Sequence, residues 1–334
     1  MPTSMPTPRL TGVHHVSAIS AHIGRSHDFY TRVLGLRPVI KTVNQDDTSM
    51  YHLFFGDGAG SPGSDMTVFD IRGAARERRG NNSITRTNFR VSGVDTLDWW
   101  AARFDDLGVP HGDVTSRGGR AVIDFDDSEG TPLALVDDVG AGEAFPWDES
   151  PVPTERQIRG LGYTEITVPE LAPTDRFLVE ALGLRHDRTY PLADAAQHDV
   201  QVYAIGDGGA HAEVHVIVRD DLPRARHGAG GVHHVALRVP EGQRMEDWVE
   251  RLDAAGYRNS GIVDRHYFTS AYVREPNHVL FELATDGPGF EVDGPLDGER
   301  LSLPPFLEPR RAHIEARLQP LTSEGADVQL RAGR

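Results

Sequence analysis

Cysteine is absent from the 334-residue chain. Its absence excludes disulfide bonds, thiolate nucleophiles and cysteine metal ligands, so any transition metal must be bound by histidine, aspartate or glutamate. The chain also lacks a run of about 18 apolar residues, so the sequence contains no candidate transmembrane helix. The N-terminal stretch MPTSMPTPRL has no basic segment followed by an apolar core, and so does not show the pattern of a secretory signal peptide.

Basic residues are scarce relative to acidic ones. The chain has 34 Lys and Arg against 50 Asp and Glu, which gives a formal net charge of -16. A surface of this charge repels the phosphates of DNA and RNA, so we expect neither a nucleic-acid partner nor a membrane partner. We expect a cytoplasmic protein with a small-molecule partner, and the sequence leaves open whether the chain forms a homo-oligomer.

One short strand pattern occurs near both ends of the chain. GVHHVSAIS (residues 12–20) returns as GVHHVALRV (residues 231–239), and each copy is followed by a helical pattern and by further strand-like runs. Two weaker copies begin near residues 87 and 160. A chain of this length favours two domains or an internal repeat. The sequence therefore predicts four modules, each with the order β-α-β-β-β.

The modules determine the predicted fold. A single module has one apolar sheet face and open sheet edges, so it needs a partner. We predict an α+β fold in which four βαβββ modules pair into two cup-shaped, barrel-like sheets with the helices outside. A polar, proline-rich link at residues 146–157 separates modules two and three. The predicted organisation is an N-terminal domain over residues 9–145, a C-terminal domain over residues 158–287 and an extension over residues 288–334, with an amphipathic helix at residues 307–321.

Two repeat-equivalent histidines and one acidic residue indicate a metal site. His15 and His234 occupy the same position in the first and fourth modules, and Glu282 is the only acid in the apolar strand HVLFELA. A carboxylate is costly to bury unless it is paired or binds a metal. Two imidazoles and one carboxylate form the facial triad of non-heme iron(II) enzymes, which leaves coordination positions open. We predict His15, His234 and Glu282 as metal ligands.

The remaining modules indicate which cup carries this site. The third module has Tyr163 at the position of His15, and the second module has no histidine in its first strand. Modules one and four are therefore expected to share the functional cup, and modules two and three to form a structural one. Because side chains alternate along a strand, His14 and His233 are expected to point away from the metal.

These pieces together resemble the vicinal oxygen chelate superfamily, which includes glyoxalase I and the extradiol dioxygenases, and within it the hydroquinone-type ring-cleaving dioxygenases. The resemblance is carried by GVHHVSAIS, FYTRVLGLRPVIKTVNQDD, YHLFFGDGAGSPGSDMTVFD, GVHHVALRV, DRHYFTSAYVREPNHVLFELATD and LSLPPFLEPRR. It implies an iron(II) ion, or manganese(II) with the same ligands, held by His15, His234 and Glu282. It also implies cleavage of a hydroquinone- or catechol-type ring with insertion of both atoms of O2.

The resemblance further implies polar residues around the metal. It places Arg265 and Tyr272 near the substrate, and His14 and His233 next to the ligands, so these four are the candidate catalytic residues. Tyr272 would donate a hydrogen bond to a substrate oxygen, and Arg265 would hold an anionic oxygen because it stays charged.

Two other functions remain open from the sequence. A glyoxalase-like lyase or isomerase would use four metal ligands, and Asp70 stands in the first module roughly where Glu282 stands in the fourth. If Asp70 points inward, it would close the site as a fourth ligand. A protein that only sequesters a ligand is also compatible with the fold. Oxygen consumption would separate the dioxygenase from both alternatives.

Overall fold

The computed structural model describes residues 8–321, and each of its four modules has the predicted order of elements. The first module has β1 (Val13–Ser20), α1 (Ile23–Asp28), β2 (Arg37–Val43), β3 (Tyr51–Gly56) and β4 (Asp65–Asp70). The second has β5 (Ser83–Val91), α2 (Val94–Leu107), β6 (Thr115–Arg117), β7 (Arg120–Asp126) and β8 (Pro132–Asp137). Helix α1 continues into a π-helical turn over Phe29–Val33.

The second half of the chain repeats this order. The third module has β9 (Leu161–Val168), α3 (Leu171–Arg176), β10 (Arg185–Pro191), β11 (Asp199–Ala204) and β12 (Glu213–Val218). The fourth has β13 (Val232–Val239), α4 (Met245–Ala254), β14 (Val263–Asp264), β15 (Phe268–Arg274) and β16 (Leu280–Pro288). The prediction of four βαβββ modules is therefore confirmed.

The strands form two curled sheets, each made of two modules. Modules one and four build a nine-stranded sheet in the order β14-β15-β16-β13-β1-β4-β3-β2-β17, in which β17 (Asp297–Leu301) comes from the C-terminal extension. Modules two and three build an eight-stranded sheet in the order β10-β11-β12-β9-β5-β8-β7-β6. The first strands of paired modules meet in antiparallel seams, β1 with β13 and β5 with β9. This arrangement confirms the predicted α+β fold and the pairing of modules one and four.

The helices pack their apolar faces against the sheets. In α2, Leu97, Trp100 and Phe104 recur at helical spacing and are fully buried. Gly108 ends this helix with a left-handed φ of 67°, a conformation that glycine adopts without a steric penalty.

Each sheet draws one module from each half of the chain. The predicted division into domains at residues 9–145 and 158–287 therefore does not separate the two sheets, and it stays a prediction. The link between the halves contains a short 3-10 turn at Thr154–Arg156.

The C-terminal extension packs on the sheet of modules one and four. Strand β17 (Asp297–Leu301) pairs in parallel with β2. Helix α5 (Arg311–Glu315) is shorter than the predicted amphipathic helix, and its buried residue Ile314 packs against Val43, Leu303 and Leu307. Residues 322–334 of the predicted extension lie outside the described residues. Within residues 8–321 no helix is long and apolar enough to cross a membrane, and the cytoplasmic location stays a prediction.

Candidate metal centre

Three side chains from adjacent strands converge at one point of the nine-stranded sheet. His15 on β1, His234 on β13 and Glu282 on β16 are each at most 3% exposed. The two Nε2 atoms lie 3.3 Å apart. Glu282 Oε2 lies 3.2 Å from the His15 Nε2 and 2.9 Å from the His234 Nε2. The structure therefore brings together the three residues that the sequence predicts as metal ligands.

The donor atoms of this cluster fit a divalent cation. Glu282 Oε1 accepts a hydrogen bond from Ser270 Oγ at 2.5 Å, whereas the buried Oε2 faces the Nε2 atoms of His15 and His234. Burial would raise the pKa of Glu282, but His15 and His234 outweigh it and hold the pKa well below its usual range. Burial lowers the pKa of His234, which keeps an imidazole lone pair available. A charged carboxylate facing two imidazoles is a suitable site for a first-row metal ion.

In module one, a threonine occupies the position that is equivalent to Glu282 in module four. Ser17 and Ala236 each stand two residues after a ligand histidine. Ser17 pairs with Thr67 on β4, and Ala236 pairs with Glu282 on β16. Thr67 is therefore the structural equivalent of Glu282. Its Oγ1 forms hydrogen bonds with Ser17 Oγ at 2.7 Å and His52 Nε2 at 2.9 Å.

Asp70, which the lyase alternative would use as a fourth ligand, does not join the cluster. Asp70 pairs with Ser20, three residues beyond the Thr67 position, and an odd offset along a strand turns the side chain to the other face. Its Oδ2 lies 3.9 Å from Arg72 Nε instead. Among the described residues, no fourth His, Asp or Glu joins the cluster of three.

His233 lines a cavity beside this cluster, contrary to the expectation that it points away from the metal, whereas His14 does not line it. The Nδ1 atoms of His14 and His15 lie 2.9 Å apart, and those of His233 and His234 lie 2.8 Å apart. The β1–β13 ladder has register shifts beside both histidine pairs, and such bulges interrupt the alternation of side chains. Burial lowers the pKa of both outer histidines to about 3, so both are neutral at neutral pH.

A cavity of about 280 Å³ opens directly onto the three ligands. Its lining includes both sequence-predicted substrate-binding residues, and Arg265 Nε donates to Tyr272 Oη at 3.1 Å. Other lining residues are Thr42, Val43, Asn44, Gln45, Asp46, His52, Phe54, Phe69, Ile71, His233, Tyr267, Phe268 and Leu280.

His52, which the sequence places at the border of the cavity as a packing or hydrogen-bonding residue, lines the cavity between the rings of Phe54 and Phe69, with ring centroids 4.2 Å away on each side. Thr67 gives no sequence signal at all. Only the strand register shows that it is equivalent to Glu282.

Comparison with known proteins agrees with this geometry. The family model described as the glyoxalase/bleomycin resistance protein/dioxygenase superfamily matches residues 12–135 and 160–283. MhqA of Bacillus subtilis (strain 168), provisionally named a ring-cleaving dioxygenase, is 45% identical over 94% of this chain and 99% of its own. The chlorohydroquinone/hydroquinone 1,2-dioxygenase of Sphingobium indicum is 30% identical over 90% of this chain and 93% of its own.

Solved structures support the same assignment. A crystal structure from Bacillus subtilis subsp. subtilis, provisionally titled a dioxygenase, matches with a TM-score of 0.84 and 33% identity, and covers 94% of this chain and 98% of that chain. The resemblance predicted from the sequence is thus confirmed. The chain belongs to the glyoxalase/bleomycin resistance protein/dioxygenase superfamily.

Proposed function

We propose that this protein is an iron(II)-dependent ring-cleaving dioxygenase that acts on a hydroquinone- or catechol-type substrate. The observation that carries the proposal is the cluster of His15, His234 and Glu282 at the end of a cavity, with the hydroxyl of Thr67 at the position equivalent to Glu282. Relatives named as ring-cleaving and hydroquinone dioxygenases support it. A lyase with four protein ligands would need a carboxylate or imidazole where Thr67 stands.

Iron(II) in this site would supply a Lewis acid for a phenolate oxygen and open coordination positions for substrate and dioxygen. Manganese(II) accepts the same ligands. The ligand residues would leave one side of the ion facing the cavity, because all three approach it from neighbouring strands of one sheet.

Arg265 and Tyr272 would bind the oxygen atoms of the substrate. Burial would lower the pKa of Arg265, but contacts with Tyr272 and Asp46 outweigh it and raise the pKa, so the guanidinium stays charged. Burial and the charge of Glu282 raise the pKa of Tyr272, so its hydroxyl keeps the proton and can donate it in a hydrogen bond. These two side chains would orient a diol and stabilise negative charge on it.

The two outer histidines would have different roles. His233 lines the cavity, so it can contact the substrate directly. His14 is buried beside His15 and packs against Phe268 at 5.3 Å between ring centroids. We assign His14 as a positioning residue that fixes the ring of His15, because contacts of the outer nitrogen orient a ligand imidazole.

The size and the walls of the cavity suit a substituted single ring. An apolar cavity of about 150 Å³ is large enough to hold benzene, and this one measures about 280 Å³. Aromatic residues such as Phe54, Phe69 and Phe268 form much of the wall. They would exclude water from the reacting ring and strengthen the polar contacts inside.

Oxygen uptake tests this function. Protein loaded anaerobically with iron(II) should consume oxygen with at least one member of a panel of hydroquinones and catechols, in a one-to-one ratio to ring-opened product. Metal-free protein is the control and should consume none. An iron-loaded protein that consumes no oxygen across the panel would contradict the proposal.

A further inference from the structure

We propose that Asp46 determines the charge selectivity of the cavity, so that diols with uncharged ring substituents are preferred over diols that carry a ring carboxylate. The inference rests on the proposed function, because it specifies the substrate class of the same site. Its basis is the distribution of charge around the cavity and the contact between Asp46 and Arg265.

Few charged groups line the cavity. Apart from histidines, the described residues of the lining include three charged side chains, Glu282, Arg265 and Asp46. Glu282 faces the two ligand imidazoles. Arg265 is therefore the one lining cation, within residues 8–321, that could bind an anionic substituent of a substrate.

Asp46 already neutralises this cation. Arg265 Nη2 lies 3.0 Å from Asp46 Oδ2, and Arg265 Nε donates to Tyr272 Oη at 3.1 Å. The Arg265 side chain is 20% exposed and that of Asp46 is 75% exposed, so Asp46 stands on the solvent side of the pair. A substrate carboxylate that reached Arg265 would have to compete with Asp46 and would be repelled by it.

The local backbone holds Asp46 in this position. Asn44 Oδ1 accepts the backbone N–H of Asp46 at 2.8 Å, which closes a turn just after β2. Gln45 Nε2 donates to the backbone carbonyl of Arg265 at 2.8 Å. Gln45 and Asp46 each contact Arg265, and they therefore link the loop after β2 in module one to the turn that carries Arg265 in module four.

The rest of the described wall offers an anion no second cation apart from its histidines. Its apolar members are Val43, Phe54, Phe69, Ile71, Phe268 and Leu280, and polar members such as Thr42, Asn44 and Gln45 are uncharged. A carboxylate placed against the apolar side chains would lose hydration without gaining a hydrogen bond, which is costly. Hydrogen, alkyl and halogen substituents incur no such cost.

The test compares pairs of diols that share one ring pattern and carry either a methyl group or a carboxylate. Methylhydroquinone and 2,5-dihydroxybenzoate share one ring pattern, and 4-methylcatechol with 3,4-dihydroxybenzoate forms the corresponding catechol pair. Each is measured by kcat/KM for oxygen uptake and, without oxygen, by calorimetric Kd on the iron-loaded protein. Asp46→Asn removes the charge and keeps the shape. Asp47→Asn is the matched control, because Asp47 bonds to Ser49 in the same loop and does not line the cavity.

We expect the wild-type protein to favour the methyl compound of the active pair. Asp46→Asn should raise the carboxylate-to-methyl ratio of kcat/KM by about 5- to 20-fold, mainly through KM, because Arg265 is released. Asp47→Asn should change the ratio by less than about twofold. In wild type, raising the salt to about 0.5 M should weaken the discrimination.

Two results would overturn the inference. One is a wild-type preference for the carboxylated ring, and the other is an unchanged ratio in Asp46→Asn. If no diol is turned over, the proposed function is contradicted. The inference about Asp46 is then tested by the Kd values measured without oxygen. A ratio of Kd values that does not move in Asp46→Asn would then contradict it.

Discussion

The two ligand histidines owe their surroundings to an irregularity of the backbone. Each is preceded by a second histidine that regular alternation would turn to the opposite face, yet the bulges between β1 and β13 bring the Nδ1 atoms of each pair within 2.9 Å. The outer ring of each pair thus touches the ring that faces the metal. At this scale, site geometry depends on where the strand departs from regularity.

Replacing a ligand residue tests the metal site directly. His15→Ala, His234→Ala or Glu282→Ala should reduce bound iron from about one per chain to an undetectable level and abolish turnover, because a triad has no spare ligand. Metal analysis after gel filtration measures the first effect, and circular dichroism checks the fold. Asp70→Asn is the control and should keep full occupancy, since Asp70 lies outside the cluster. Full occupancy in any of the three alanine variants would refute the ligand assignment.

The outer histidines make metal-free protein sensitive to acid. The pKa of His14 and of His233 falls from 6.5 to about 3 on folding, so between these values the unfolded chain binds protons that the folded protein does not. The free energy of unfolding should therefore decline as the pH falls below about 6.5, by up to about 1.4 kcal/mol per pH unit for each histidine.

Urea unfolding of metal-free protein between about pH 8 and pH 5 measures this slope. His14→Asn should make the slope shallower. His22→Gln removes an imidazole whose side chain is 59% exposed and serves as the comparison. A slope that His14→Asn leaves unchanged would show that this buried imidazole does not carry the effect.

Among the elements, the C-terminal extension contributes to the wall of the cavity. Phe290 contacts Phe54, Tyr267 and Phe268, with ring centroids 5.1, 5.5 and 6.3 Å away. All three of these residues line the cavity. His266, whose φ is 70°, also binds Asp293 of the extension at 2.7 Å, next to Arg265. The extension therefore supports the side of the cavity that carries the guanidinium.

Truncating Phe290 should show this support. Phe290 is 7% exposed, and Phe290→Ala should lower the free energy of unfolding by about 3–5 kcal/mol and raise KM, because it leaves a void behind the cavity wall. Phe306→Ala is the matched control in the same extension, where the ring is 60% exposed, and should cost less than about 0.5 kcal/mol. Urea unfolding measures both, and equal losses would contradict the assignment.

In the whole molecule, the two cups share one strand architecture but differ in the side chains of their interiors. In the cup of modules two and three, Tyr163, Arg86 and Ala134 stand where the other cup has His15, His234 and Glu282. Its interior holds ion pairs, such as Glu213 with Arg120 and with Arg188. Among residues 8–321, the cluster of His and Glu side chains that could hold a metal lies in the other cup.

Breaking that network should cost stability without affecting the metal. Glu213→Gln leaves Arg120, Arg188 and His215 without their shared carboxylate, so the free energy of unfolding should fall by about 3 kcal/mol while iron occupancy stays near one per chain. Glu246→Gln makes the same change in an exposed pair with Arg244 and should cost less than about 0.5 kcal/mol. Loss of iron in Glu213→Gln would argue against separate roles for the cups.

Residue types and their repetition were sufficient to predict most of the architecture. The returning GVHHV strand predicted the modules, their pairing and two candidate ligands, and an isolated acid in an apolar strand indicated Glu282 as a third. These features can be recognised in the sequence because successive side chains of a strand alternate between its two faces. An unpaired buried charge is also so unfavourable that its presence indicates a partner.

Only the tertiary structure shows which further residues lie next to His15, His234 and Glu282. Thr67 rather than Asp70 occupies the position equivalent to Glu282. His14 and His233 contact the rings of His15 and His234. Asp46 contacts Arg265, although the two residues are 219 positions apart in the sequence. Each of these contacts depends on strand register or on a bulge. Register is set by pairing between segments more than 200 residues apart in the case of β1 and β13, so no local pattern in the sequence encodes it.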